Sequence, residues 1–143
     1  MILVIGGNAQ GKKAFAEQKL VTAGQDPEIV WKSGASEDWN GFMSSRYCCE
    51  FHQFVRRLMN GEILFQGTSR WRPADETQQE EMIRLLKAVP GRILVTDEIG
   101  YGIVPLDAFE RQYREETGRL CCIAARHSEQ VWRVLCGIGQ QIK

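Results

Sequence analysis

The chain has no excess charge of either sign and no long apolar run. Its 143 residues include 18 Lys and Arg against 18 Asp and Glu, which gives a formal net charge of zero at pH 7. A neutral chain lacks the overall field that attracts nucleic acid or an anionic membrane surface. No segment approaches the roughly 20 apolar residues of a membrane-spanning helix, and no basic flank marks a secretory signal. We therefore expect a cytoplasmic protein without nucleic-acid or membrane partners.

Cysteine spacing also excludes several classes of site. No two cysteines form a C-x-x-C pair, which argues against a zinc ribbon or a thioredoxin-like motif. We predict that the adjacent cysteines are small buried apolar side chains, and free thiols suit a reducing compartment. The five cysteines are Cys48, Cys49, Cys121, Cys122 and Cys136.

The order of the apolar segments predicts an α/β fold. The apolar fraction of 43% and the charged fraction of 25% are ordinary for a globular protein, and the length suggests one domain over residues 1–143. Alternating strand-like and helix-like segments favour a sheet flanked by helices. The predicted strands cover 1–5, 28–31, 92–96, 130–136 and 140–143, and the predicted helices cover 12–23, 46–60, 75–89 and 107–126. Residues 33–45 and 62–74 are predicted to be irregular.

The last predicted helix contains Gly118 in its interior. A glycine there costs about 1 kcal/mol relative to alanine, so we expect close packing to require it. The starts of this helix and of the one before it are better defined. Asp75 with Gln78, and Asp107 with Glu110, have the spacing of a helix-capping box.

A glycine-rich turn follows the first predicted strand at once. Gly6, Gly11 and Lys12 fit the phosphate-binding pattern G-x-x-x-x-G-K-[ST] at every position but the last, where Lys13 stands. In such a loop, backbone N–H groups and the next helix N-terminus face phosphate oxygens. The alternative is a plain turn with a solvated Lys12. The sequence favours a nucleotide site formed by Gly6, Gly7, Asn8, Ala9, Gln10, Gly11, Lys12 and Lys13.

Three segments are expected at the ligand-binding edge of the sheet. Ligands of open α/β sheets bind beyond the carboxyl ends of the strands, where loop 6–13, the pair Asp97 and Glu98, and residues 137–139 should lie. In phosphate-loop enzymes, an acidic residue after a buried strand often orients magnesium, and a neighbour can act as base. We therefore predict Asp97 as a metal ligand and Glu98 as a catalytic residue. The alternative is that both only cap the turn 99–102.

His52 is the candidate nucleophile. It lies four positions before Arg56, so the two share a face of the predicted helix 46–60. A histidine beside arginines could attack a nucleotide α-phosphate while the guanidinium groups stabilise its charge. The simpler alternative, a half-buried histidine beside solvated arginines, is favoured because an orienting partner is not visible in sequence.

Both ends of the chain resemble one family, the bifunctional adenosylcobinamide kinase / adenosylcobinamide-phosphate guanylyltransferases of cobalamin biosynthesis. Residues 2–12 look like its opening strand and phosphate loop. Residues 95–105, which read Val-Thr-Asp-Glu-Ile-Gly-Tyr-Gly-Ile-Val-Pro, look like its segment Asn-Glu-Val-Gly-Trp-Gly-Ile-Val-Pro. Residues 131–143 are similar to its terminal strands.

The resemblance implies a three-layer, RecA-like P-loop NTPase fold with a mostly parallel sheet, in a homo-oligomer. It implies ATP or GTP with Mg as cofactors. It also implies that adenosylcobinamide is phosphorylated, with Lys12 stabilising the transferring phosphoryl group and Asp97 or Glu98 binding the metal or the substrate. It also implies possible GMP transfer through His52, the only candidate for the family's His-x-x-x-Arg pattern. The sequence departs from the family at Lys13 and Asp97 and lacks its Trp-Thr-x-Glu element. The alternatives are a catalytically degenerate nucleotide- or corrinoid-binding protein and an unrelated small P-loop kinase.

Overall fold

A computed structural model of the protein describes residues 1–21 and 28–143. The helix predicted at 12–23 ends earlier, at Lys19, and residues 22–23 of that prediction lie outside the described residues. The strands are β1 (Ile2–Gly6), β2 (Lys32–Ser33), β3 (Tyr47–Cys49), β4 (Ile93–Asp97), β5 (Gln130–Leu135) and β6 (Ile138–Gln141). The helices are α1 (Lys12–Lys19), α2 (Trp39–Ser44), α3 (Phe51–Asn60), α4 (Glu76–Ala88) and α5 (Ala108–His127).

The six strands form one mostly parallel sheet in the order β2-β3-β4-β1-β5-β6. Only β6 runs antiparallel to its neighbour, which it reaches through a tight turn from β5. Strand β1 lies between β4 and β5, and its register places Gly6 beside Asp97. This arrangement confirms the predicted α/β sheet flanked by helices, and it brings the start of the glycine-rich loop next to the acidic end of β4.

Apolar side chains of the central strands alternate between two cores, one on each face of the sheet. Leu3 and Leu94 point into the larger core, beneath helices α3, α4 and α5. Val4 and Val95 point into the smaller core, where Phe15 of α1 packs. Buried parallel strands need apolar residues on both faces, which explains why β1 and β4 are continuous apolar runs in the sequence.

Both predicted capping residues occur at helix starts. The Asp75 carboxylate accepts a hydrogen bond from the Gln78 N–H at 3.1 Å, and the Asp107 carboxylate accepts one from the Glu110 N–H at 2.9 Å. Each satisfies a backbone donor that has no partner within its own helix. The predicted beginnings of α4 and α5 are therefore confirmed.

The predicted helix 46–60 is wrong in its first third. Residues 47–49 form β3, which pairs with β4, and α3 begins only at Phe51. Glu50 separates the two elements with a positive φ of 55°, a conformation that neither a strand nor a right-handed helix contains. The apolar residues 47–49 fit either element in sequence, and pairing with the buried strand β4 decides between them.

Two further predictions before residue 46 are wrong. The strand predicted at 28–31 is instead β2, at Lys32–Ser33. The irregular segment 33–45 contains α2, whose first turn is capped by Asp38 through the Gly41 N–H at 2.7 Å. Gly41 and Ser44 within that helix made the segment look like a loop.

The irregular segment 62–74 is confirmed, and a buried carboxylate holds its end in place. Glu116 of α5 accepts hydrogen bonds from Trp71 Nε1 at 3.1 Å, from the Ala74 N–H at 2.9 Å and from Gln79 Nε2 at 2.9 Å. Buried polar groups of this kind are stable only when they have such partners. Glu116 therefore fixes the segment against α4 and α5.

The expectations for Gly118 and for the paired cysteines need correction. A Cβ on Gly118 would meet no heavy atom within 4 Å, so packing does not require glycine there. All five cysteines are free; Cys48 is buried, but Cys122 and Cys136 are exposed. Among the described residues, no helix is long and apolar enough to cross a bilayer.

Candidate functional site

Two glycines of the loop between β1 and α1 are required by its geometry. A Cβ on Gly6 would lie 2.3 Å from the carbonyl oxygen of Val134, closer than any side chain could approach. Gly11 caps α1 with a φ of +78°, a left-handed conformation that glycine adopts without strain. The spacing of the sequence pattern therefore corresponds to two separate steric needs of the loop.

Neighbouring segments anchor the loop from two sides. Gln10 accepts hydrogen bonds from the turn between β5 and β6: its backbone oxygen from the Gly137 N–H at 2.9 Å, and its Oε1 from the Cys136 N–H at 2.8 Å. On the other side, the Glu98 N–H donates to the Gly6 carbonyl at 2.9 Å. The other two segments expected at this edge thus both contact the loop.

A cavity of about 620 Å³ opens beside the loop, beyond the carboxyl ends of β1, β3 and β4. Residues 8–14 form one side of it. The opposite side comes from the end of β3, the start of α3, the end of β4 and one residue of α5. The polar groups on that side are Glu50, His52, Gln53, Asp97 and Tyr113.

Lys12 and Asp97 form the central contact of this cavity. Lys12 Nζ lies 2.6 Å from Asp97 Oδ1, and it also donates to the carbonyl oxygen of Gly7 at 2.6 Å. Only 7% of the Lys12 side chain and 18% of the Asp97 side chain are exposed, so solvent screens the pair weakly. The loop lysine and the carboxylate after β4 therefore neutralise each other.

His52 lies against the same carboxylate. Its Nδ1 accepts a hydrogen bond from the Asp97 N–H at 3.2 Å, and its Nε2 lies 3.7 Å from Asp97 Oδ2. Burial lowers the pKa of His52, and this outweighs the opposite effect of Asp97. The ring is therefore neutral near pH 7. Because a backbone N–H can only donate, the ring proton resides on Nε2.

Arg56 does not join His52 in the cavity, although their spacing predicted a pair. Both terminal nitrogens of its guanidinium group donate to the Glu110 carboxylate, one of them at 3.1 Å. The guanidinium group also lies 5.0 Å from the ring centroid of Tyr113. Arg56 is thus held by α5, outside the lining of the cavity.

Glu98 lies apart from the rest of the predicted site, whereas Lys13 lies within it. Glu98 forms an ion pair with Arg133, with its Oε1 3.1 Å from Arg133 Nε, and it does not line the loop cavity. Lys13 does line that cavity, and its ammonium lies 5.7 Å from the ring centroid of Trp31. The position where the pattern requires a hydroxyl therefore carries a cation beside an aromatic ring.

Glu50 is an acidic lining residue that sequence reasoning missed. Glu50 directly follows the last residue of β3, and Asp97 is the last residue of β4. The Glu50 carboxylate accepts a hydrogen bond from the Ser33 hydroxyl. The signal was present, because an acidic residue directly follows the apolar run 47–49. It was hidden because that run was assigned to a helix.

The acidic residues offer limited support for a metal ion. Among residues 1–21 and 28–143, no three His, Cys, Asp or Glu side chains are grouped as a metal site would require. The loop cavity nevertheless contains two carboxylates, Asp97 and Glu50. Magnesium is commonly held by one or two carboxylates together with substrate phosphates. These two carboxylates are the donors that the cavity offers to a magnesium ion.

Comparison with known proteins identifies relatives of the second half of the chain. A family model described as cobinamide kinase / cobinamide phosphate guanyltransferase matches residues 55–142. This stretch contains α4, β4, α5 and both C-terminal strands, together with Asp97 and the turn that anchors the glycine-rich loop. It covers more than half of the chain.

Curated relatives match shorter stretches. The bifunctional adenosylcobalamin biosynthesis protein CobU of Salmonella typhimurium is 43% identical over 51 residues, which is 36% of this chain and 28% of that protein. CobU of Escherichia coli is 37% identical over 65 residues, or 45% and 36% of the two chains. CobP of Pseudomonas aeruginosa is 36% identical over 67 residues, or 46% and 39%. The matches thus span well under half of each relative.

Proposed function

The chain belongs to the cobinamide kinase / cobinamide phosphate guanyltransferase family, and on that premise we propose that it uses ATP or GTP to phosphorylate the hydroxyl group of adenosylcobinamide. The observation that carries this proposal is the contact of Lys12 with Asp97, 2.6 Å apart in one cavity. Such a transfer needs a cation that stabilises the phosphoryl group and a carboxylate that accepts the hydroxyl proton.

We further propose that residues 1–143 form a single RecA-like phosphate-loop domain with three layers. The central position of β1, the loop that follows it and the helices on both faces of the sheet support this assignment. The cavity of about 620 Å³ beside the loop is within the usual range for a small-molecule site. Family membership supports a nucleotide as its occupant.

Nucleotide binding would replace the contact of Lys12 with Asp97. Phosphate oxygens entering the loop present more negative charge than one carboxylate does, so the Lys12 ammonium turns towards them. The backbone N–H groups of residues 7–12 would surround the remaining phosphates. Asp97 is then released from its partner at the moment when the phosphoryl group is in place.

The transfer step follows from the released carboxylate. The oxygen of the acceptor hydroxyl group forms a bond to the γ-phosphorus, and the bond from that phosphorus to the bridging oxygen breaks. A nucleoside diphosphate leaves, and the hydroxyl proton passes to Asp97. Lys12 stabilises the charge that develops on the transferring group. Asp97, rather than Glu98, takes the proton in this proposal because Glu98 is paired with Arg133 outside the loop cavity.

Magnesium would be held by Glu50 together with the nucleotide phosphates, and Asp97 would orient it through water, which leaves the Asp97 carboxylate available for the hydroxyl proton. When bound, it neutralises part of the phosphate charge. Lys13 cannot supply the missing hydroxyl ligand, so we expect the protein to bind the metal mainly through the nucleotide. The absence of this hydroxyl ligand also motivates the alternative function, in which the protein binds nucleotide or corrinoid without turnover.

GMP transfer through His52 would require a change in the ring. Its Nδ1 lone pair accepts the Asp97 N–H, and its Nε2 carries the proton. An attacking nitrogen needs a free lone pair. The ring must therefore rotate away from Asp97 before it can accept a guanylyl group, and we propose the kinase reaction as the primary activity.

The proposal is tested by incubating the purified protein with adenosylcobinamide, magnesium and ATP or GTP, and identifying the corrinoid products by mass spectrometry. We expect the phosphorylated corrinoid from the wild type and none from Lys12→Met. Lys87→Met, which replaces an exposed lysine of α4, is the matched control and should retain turnover.

Two results would contradict the proposal. Product formation by Lys12→Met at the wild-type rate would show that Lys12 has no role in the transfer and would contradict the mechanism. Tight nucleotide binding without any product, unchanged when EDTA removes the metal, would support the binding-protein alternative, because a kinase depends on the metal for turnover.

A further inference from the structure

A second cavity lies directly behind the end of β4, on the side facing α5. Its volume is about 400 Å³. The walls are mainly apolar and come from β1, the segment 97–101 and the middle of α5. The side chains used below are Ile5, Ile99, Thr117 and Cys121.

The two cavities meet at Asp97 and Ile99, which line both of them. One carboxylate therefore faces the phosphate loop on one side and the apolar cavity on the other. This is the arrangement that a transfer between two substrates requires, because the donor and the acceptor must approach one group from different directions.

Thr117 supplies an unused polar group to this cavity. The residue is 1% exposed, and within the described part of the chain its Oγ1 has no hydrogen-bond partner. A buried hydroxyl group without a partner is unfavourable because it has lost its hydrogen bonds to water. A ligand that brings a hydrogen-bonding group would remove this cost.

Gly118 helps to keep the cavity open. It lines the cavity from the middle of α5, and a Cβ there would meet no heavy atom within 4 Å. Since packing does not require this glycine, the space that it leaves is available to a ligand. Glu98 also lines the cavity, but Arg133 neutralises its charge. The interior thus favours an uncharged aliphatic group with one polar substituent.

We propose that this apolar cavity is the acceptor subsite, and that it binds the aliphatic carbons next to the hydroxyl group that is phosphorylated. In this position the hydroxyl oxygen lies at Asp97. The enclosed Thr117 Oγ1 pairs with a neighbouring polar atom of the acceptor once the threonine side chain rotates towards the cavity. The inference rests on the proposed kinase function, and it adds which residues recognise the alcohol. Selection against alcohols without an adjacent aliphatic group follows from the same geometry.

Adjacent cysteines provide a matched test. Cys121 lines the apolar cavity, whereas the exposed Cys122 lines a different depression between α4 and α5. Cys121→Leu fills the proposed subsite, and Cys122→Leu adds the same group elsewhere on α5. We expect Cys121→Leu to raise the KM for adenosylcobinamide by about tenfold and to leave the KM for ATP unchanged. Cys122→Leu should leave both values unchanged.

Thr117→Val is the second variant, and it removes the hydroxyl group with little change in volume. We expect the KM for adenosylcobinamide to rise about three- to tenfold, the effect of one lost hydrogen bond, while the melting temperature stays the same or rises. This variant keeps the inference testable if Cys121→Leu fails to fold, because removing an unpaired buried hydroxyl group should not harm the fold.

The outcomes separate the subsite from the kinase function. If the wild type phosphorylates adenosylcobinamide and both Cys121→Leu and Thr117→Val leave the KM for adenosylcobinamide unchanged, the proposed acceptor subsite is wrong and the kinase function stands. If both KM values rise together, the variants disturb the whole site and the subsite is again contradicted. If the wild type forms no product, the kinase function fails and the acceptor subsite fails with it.

Discussion

Lys12 Nζ lies 2.6 Å from Asp97 Oδ1, so the cation of the phosphate loop and the acid at the end of β4 form an ion pair that is largely shielded from water. The two residues are 85 positions apart in sequence, and the parallel pairing of β1 with β4 brings them together. Each depends on the other for its charge balance.

Removing one partner of this pair should cost stability, and removing both should restore it. We expect Lys12→Met to lower the free energy of unfolding by roughly 1 to 3 kcal/mol, between the values for exposed and fully buried pairs. Adding Asp97→Asn should recover most of that loss, because no unpaired charge remains. Urea denaturation measures both effects.

Turnover should not recover in the same double variant, since neither the cation nor the carboxylate is present. This separates the structural role of the pair from its catalytic role. A single Lys12→Met variant as stable as the wild type would show that the contact contributes nothing to the fold.

Replacing Gly6 or Gly118 with alanine should change the free energy of unfolding in opposite directions. Gly6→Ala places a Cβ 2.3 Å from the Val134 carbonyl oxygen, so β1 and β5 must separate, and we expect a loss of more than 2 kcal/mol. Gly118→Ala adds a methyl group in open space within α5 and should gain about 0.5 to 1 kcal/mol. Thermal unfolding compares them; a stable Gly6→Ala would refute the close contact.

Glu116 and Glu115 provide a second matched pair. Glu116→Gln replaces one acceptor oxygen with a donor facing Trp71 Nε1, the Ala74 N–H or Gln79 Nε2, and we expect a loss of about 1 to 3 kcal/mol. Glu115 is 64% exposed and pairs with Arg119 on the surface of α5, so Glu115→Gln should change stability by less than about 0.5 kcal/mol. Urea midpoints measure both variants.

Hydrogen exchange can locate the effect of Glu116→Gln. We expect faster exchange at residues 71–74, which Glu116 holds against α4 and α5. Equal stability of the two glutamine variants would mean that the buried carboxylate is not what fixes this segment.

His52 should make stability fall on the acid side of neutrality. Burial lowers its pKa below the ordinary value of 6.5, so the unfolded chain takes up a proton first as the pH drops. Because the unfolded state then binds more protons, the free energy of unfolding decreases as the pH falls below about 6.5. His52→Gln should lose less stability than the wild type between about pH 7.5 and about pH 5.5. Parallel pH profiles for the two proteins would contradict the burial of a neutral ring.

Those parts of the fold that depend on local patterns could be predicted from the sequence. The apolar runs of β1 and β4 and the capping residues Asp75 and Asp107 each specify an element through contacts of neighbouring residues. The glycine-rich loop follows from the same kind of pattern. These elements are where the predictions hold.

The rest depends on contacts between distant residues. Residues 47–49 become a strand because β4 is available to pair with them, and their sequence alone also suits a helix. Missing β3 also hid Glu50 as a residue of the cavity. The ion pair of Arg56 with Glu110 spans 54 positions, so the spacing of Arg56 from His52 could not reveal it.

The most direct test of the central claim is to follow which phosphorus atom of the nucleotide reaches the corrinoid. The protein is incubated with adenosylcobinamide, magnesium and ATP or GTP carrying a radioactive label at either the γ- or the α-position. The account predicts that the γ-label appears in the corrinoid product and that Lys12→Met abolishes this transfer. Transfer of the α-label without the γ-label, or no transfer while nucleotide remains bound, would contradict it.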